Sequence, residues 1–124
     1  MGFFSCFSSK STAYFYGTSE FRNKVEGFDI SIDQAAEICA KYIFEQNEDI
    51  DETFTSLQVV YKDYYIFSDF MFSPKSGRYN LSGIWINGNT GEIKEVSTKK
   101  VVTFRVDITK NVKYIKKKTR ENVM

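Results

Sequence analysis

One helix signature followed by a succession of strand signatures sets the main limit on what this 124-residue chain can fold into. Ser31 and Gln34 have capping-box spacing, in which the serine oxygen accepts from the N–H at 34 and the glutamine side chain reaches back. Asp33 adds a carboxylate at the positive end of the helix dipole. Behind them Ile32, Ala35, Ala36, Cys39, Tyr42 and Ile43 recur as one apolar stripe. Glu37, Lys41 and Glu45 recur four apart on another face. The spacing predicts a helix over 31–46, apolar on one side and wet on the other.

The period then changes from helical to two. Residues 54–61 and 64–72 read as strands joined at a tight Lys62-Asp63 corner, and Ser73 to Gly77 reads as a turn broken by Pro74 and Gly77. A strand over 79–87 and its return over 92–96 enclose the loop Asn87-Gly88-Asn89-Thr90-Gly91. That loop turns either at Asn87-Gly88 as a type I′ hairpin or with Gly91 left-handed in a bulge. Residues 100–108 alternate cleanly, with Val102, Phe104, Val106 and Ile108 on the inner face. The fold class expected is therefore α+β, with one main amphipathic helix packed on a curved antiparallel sheet of four to five strands. Residues 1–27 carry no pattern that assigns them, apart from a short strand or helical turn over 13–16. Residues 28–109 form the single domain, and 110–124 form a basic tail, read as a solvated extension.

Composition removes most chemistries. The chain has no histidine, so it lacks the commonest metal ligand and the usual base of Ser and Cys nucleophiles. Its two cysteines, Cys6 and Cys39, stand too far apart for a chelating loop, and Cys39 belongs to the apolar stripe as a small hydrophobe. Two free thiols in a reducing compartment are expected. No cofactor, metal or catalytic residue is expected. Net charge is +1, which steers the protein toward neither nucleic acid nor membrane. Met1-Gly2-Phe3-Phe4-Ser5-Cys6 begins like a myristoylation signal but has Cys6 where Ser or Thr is wanted, and no apolar run approaches the roughly 20 residues of a membrane span. The expectation is a soluble, cytoplasmic protein.

What the chain has in excess is rings: twelve Phe, eight Tyr and one Trp. Tyr64, Ile66, Phe70 and Phe72 share one face of the 64–72 strand, while Tyr65, Phe67 and Met71 share the other. A strand apolar on both faces is central, or presents one face to a second layer or a partner. Phe3, Phe4 and Phe7 are candidates to cover that second face from within the chain. The rings of Tyr64, Tyr65, Phe67, Phe70 and Trp85 are the candidate partner-binding set, since Tyr and Trp are common hot-spot side chains. Asp69, Asp63, Asp107 and Glu92 are the carboxylates in or beside strands, and an enzyme would have to rest on them. Arg78, Arg105 and Lys62 are candidate anion binders of low specificity.

The run Ile30-Ser31-Ile32-Asp33-Gln34-Ala35-Ala36-Glu37-Ile38-Cys39-Ala40 is similar to the opening of PepSY domains. Together with the hairpin from Trp85-Ile86-Asn87 through Thr90-Gly91-Glu92-Ile93, it also resembles the nuclear-transport-factor-fold immunity proteins of bacterial toxin systems. The resemblance spans about residues 28 to 97. It implies a non-enzymatic immunity-type protein that binds and neutralises a partner toxin, or binds a second copy of itself. The alternative it implies is a PepSY-like inhibitory or small-ligand-binding module. An enzyme working through Asp69 or Asp63 is the remaining reading.

Overall fold

A computed structural model describes residues 13–67, 78–80, 82–96, 101–103 and 113–123, with the backbone alone for 78–80 and 101–103. In chain order the elements are β1 (Ala13–Phe15), α1 (Ser19–Glu26), α2 (Ile32–Gln46), β2 (Glu52–Tyr61) and β3 (Tyr64–Phe67). There follow β4 (Arg78–Asn80), β5 (Gly83–Asn87), β6 (Ile93–Val96), β7 (Val101–Thr103), β8 (Tyr114–Thr119) and α3 (Arg120–Val123). Among the described residues this is an α+β fold, three helices with a six-stranded antiparallel sheet that does not close into a barrel. The order β1-β2-β3-β5-β6 is joined by β8, which pairs with β2, and β4 pairs with β7 separately.

The main helix starts where its cap predicts. Gln34 N–H donates to Ser31 Oγ at 3.2 Å, and Ser31 N–H donates to Gln34 Oε1 at 2.8 Å. Ala35, Ala36, Cys39, Ala40 and Phe44 are its buried residues. The buried arc therefore turns toward Ala40 and Phe44. Tyr42, expected in the stripe, sits at the side, where its hydroxyl donates to Glu95 at 2.7 Å.

The ten-residue strand β2 organises the sheet. Its Leu57 pairs with Phe67 on one edge and Tyr114 on the other, and β1 takes over that second edge at 59–61. A bulge at Gln58 shifts the β3 register between Leu57 and Val59. One inserted residue changes which face each later side chain meets. Leu57 and Val60 consequently share the helix-side core with Ala35, Ala36, Cys39, Tyr65, Phe67 and Ile86. Val59 lies on the opposite face, in a second cluster with Phe15, Ile66 and Trp85.

Several elements depart from the sequence reading. The strand expected over 79–87 is two strands in different sheets, and Gly83 at the break has φ of 138°, a conformation that glycine adopts without strain. The short strand or helical turn expected over 13–16 is strand β1, whereas helix α1, which Thr18 caps by accepting from Phe21 N–H at 3.1 Å, has no counterpart in the sequence reading. Most of the supposed basic tail is β8 and α3, with Lys116, Lys117 and Lys118 as strand residues. The remaining parts of the 64–72 and 100–108 strands, Phe104 among them, lie outside the described residues, as do Phe3, Phe4 and Phe7.

The β5–β6 loop is the bulged alternative, not the type I′ turn. Gly91 has φ of 77°, and Asn87 Oδ1 accepts from Asn89 and Thr90 N–H at 2.8 and 3.0 Å. Gly88 is needed for close approach: a Cβ there would stand 2.3 Å from Cδ2 of the Phe28 ring. The same glycine links three segments, donating to Asp63 O at 2.8 Å and accepting from Ile30 N–H at 2.9 Å. Gly88→Ala is expected to push Phe28 off its seat and cost about 1–3 kcal/mol in denaturant melts. A neutral result would mean that the ring yields without loss.

Candidate functional site

The aromatic set picked from the sequence is divided between the two sheet faces. Tyr65 is fully buried under the helix, its hydroxyl donating to Ile30 O at 2.6 Å, and Phe67 is buried beside it. Trp85 is buried on the other face, with Tyr61 and Tyr64 at centroid distances of 5.9 and 5.7 Å. These three placements correct the expectation that Tyr65, Phe67 and Trp85 face a partner. Their surface is already spent on packing, because β3 and β5 are interior strands with apolar layers on both faces. Tyr64 is half-buried, donates to Glu92 Oε1 at 2.8 Å and carries Lys94 Nζ 4.9 Å from its ring centre. Phe70 lies outside the described residues.

The carboxylates expected to matter for catalysis are dispersed. Asp63 is exposed and ion-paired with Lys24 at 3.0 Å, and Lys24 also lies 5.4 Å from the centre of the Phe28 ring. Glu92 serves Tyr64, whereas Asp69, Asp107 and Arg105 lie outside the described residues. Lys62 sits over Tyr61 at 5.4 Å, and Arg78 belongs to β4. Among the described residues no three carboxylates or cysteines gather to hold a metal.

Cys39 is a free, buried thiol whose pKa burial pushes up from 9.0 to about 12. It is not a nucleophile near neutrality. Because the folded state holds this proton more tightly than the unfolded chain, its contribution is complete below pH 9 and lost as pH rises toward 12. The loss reaches about 4 kcal/mol at the alkaline limit. Cys39→Ala is expected to flatten the stability profile between pH 9 and 11 relative to the parent, in urea melts run at each pH. Parallel profiles would mean that the thiol ionises without opening the core.

A concave feature lies elsewhere, formed partly by residues 16–26 and partly by the approach to the main helix. A cleft of about 600 Å³ runs between α1 and the start of α2. Tyr16, Phe21, Val25, Phe28 and Ile32 supply its apolar surface, and Arg22, Glu26 and Asp29 stand exposed at its rim. Phe21 is buried as the floor and meets Tyr16 edge-on at 5.3 Å. Tyr16 in turn meets Tyr114, whose hydroxyl bonds Asp33 in the first turn of α2. Burial first, and then the Asp33 bond, raise the Tyr114 pKa above the ordinary phenol value. The side chains of Arg22, Glu26 and Asp29 make no ion pair among the described residues.

Local sequence explains the cleft. Thr18 caps α1, and the one-turn spacing of Phe21 and Val25 puts both on the same side of a short helix. Two apolar residues in eight are too few for periodicity to detect. The available signal was Thr18-Ser19-Glu20, a capping residue followed by an acid in the first turn. Comparison with protein-family models, curated proteins and solved structures finds no match to this chain.

Proposed function

We propose that the chain is a non-enzymatic interaction domain of the immunity type, which binds a partner protein such as a cognate toxin and holds it inactive. One observation carries the reading: an open cleft with an apolar floor has three exposed charges at its rim, Arg22, Glu26 and Asp29, that pair with no described residue. Concave apolar surfaces with a few convergent polar groups are the usual places where proteins take a ligand. The lack of histidine and the sequestered Cys39 thiol support binding over turnover. The free thiol suits the reducing cytoplasm, the location this reading assigns. Among the described residues no helix is long and apolar enough to cross a membrane.

The test is co-expression with the products of the reading frames adjacent to its own. The reading expects one of them to form a stoichiometric complex that survives gel filtration, and to lose its toxicity in that complex. It fails if every neighbouring product elutes separately and retains its effect. Tight binding of a small molecule instead would favour the PepSY-like alternative.

A further inference from the structure

We infer that the α1–α2 cleft receives a cationic amphipathic helix, one that inserts apolar side chains one turn apart and places basic residues against Glu26 and Asp29. The inference rests on the interaction reading above and names the chemistry of the partner segment. The wall of the cleft is itself helical. Phe21 and Val25 stand one turn apart on α1 and offer two apolar contact levels. Helices that dock in grooves present anchors at the same spacing. Phe28 and Ile32 also line the cleft, so an inserted anchor meets apolar atoms from α1 and from the approach to α2.

Charge sets the sign of the partner. The rim holds two carboxylates, Glu26 and Asp29, against the single guanidinium of Arg22. All three are exposed, and none is neutralised by a described neighbour. The chain as a whole carries only +1, so this preference for a cation is local to the cleft and opposite to the sign of the whole molecule. Glu26 and Asp29 lie at the end of α1 and just beyond it, which puts the negative charge at the end of the cleft next to Phe28. Arg22, one turn earlier, disfavours a second basic residue at the other end.

Two probe peptides test this. Both are alanine-based helices of about 18 residues, long enough to be helical alone. Both carry two leucines four residues apart, one peptide with lysines flanking the leucines and the other with glutamates. Binding is read by fluorescence anisotropy with the full chain. The lysine peptide is expected to bind about tenfold tighter than the glutamate peptide, the sum of a few exposed charge contacts. In Glu26→Lys/Asp29→Lys the preference should invert. A control, Glu45→Lys/Glu48→Lys, changes net charge by the same amount away from the cleft and should keep the parent preference. Thermal melts confirm that both variants fold.

Equal binding of the two peptides, an inversion shared by the control, or no binding at millimolar peptide would each overturn the inference. So would self-association that the cleft variant abolishes, since the occupant would then be a second copy of the chain. These outcomes are separable from failure of the broader reading. A toxin complex that forms undiminished with Glu26→Lys/Asp29→Lys leaves the interaction domain standing and removes the cleft from its interface.

Discussion

Truncating Tyr65 to alanine is expected to cost about 3–5 kcal/mol, as for other large buried rings. Tyr65 has no exposed surface. Its ring meets Phe28 edge-on at 5.2 Å and Phe67 at 6.4 Å, so truncation leaves a void between the loop before α2 and the sheet. The hydroxyl adds a bond to Ile30 O at 2.6 Å, in the stretch that leads into the capping box. Burial raises the Tyr65 pKa well above the ordinary phenol value, so the donor keeps its proton throughout the neutral range. Tyr65→Phe retains the ring and strands only the carbonyl, for an expected loss of about 1–2 kcal/mol. Both values come from denaturant melts. A loss below about 1 kcal/mol for the alanine variant would mean that the ring is a surface group, as membership of a partner-binding set requires.

The placing of core rings in a partner-binding set has a physical origin. Alternation assigns Tyr64 and Ile66 to one face and Tyr65 and Phe67 to the other, and the structure keeps that division. Alternation says nothing of what covers each face, and a strand apolar on both sides reads the same whether its second layer belongs to the chain or to a partner. Here the second face is packed, with Val59 and Ile66 fully buried. The helix start was legible because a capping box is a local device, complete within four residues. Gly91 was legible for the same reason, as one of two stated turns. Helix α1 was not, since its eight residues bury only Phe21 and its stability comes from contacts distant in sequence. With α1 hidden, the cleft it forms with α2 was hidden too.

The basic carboxy-terminal run is the other case in which distance in sequence concealed a role, and it leads to the second large effect. Six cations among the last residues read as a solvated tail because charge patterning carries no information about partners 70 residues away. In the structure Arg120 closes the end of the main helix. Its Nε and Nη2 donate to Ile50 O at 3.0 and 2.7 Å, Nη2 also to Asn47 O at 2.6 Å, and Nη1 to Phe44 O at 3.2 Å. The guanidinium lies 5.0 Å from the centre of the Phe44 ring. These carbonyls stand at and beyond the negative end of the helix dipole, where a cation is favoured and no basic residue of the helix itself is present. The Arg120 N–H also donates to Asp51 O at 2.7 Å, which ties β8 to the start of β2. Arg120→Ala leaves three carbonyls to water and exposes Phe44, for an expected loss of about 2–3 kcal/mol. Arg120→Lys should recover less than half of that, because an ammonium cannot span carbonyls that the planar fork reaches together. Hydrogen exchange gives a second readout: the amides of 114–119 should exchange faster in both variants than in the parent, ahead of those of β3 and β5. If Arg120→Lys matches the parent in both measurements, a charge at the helix end suffices and the fork geometry contributes nothing.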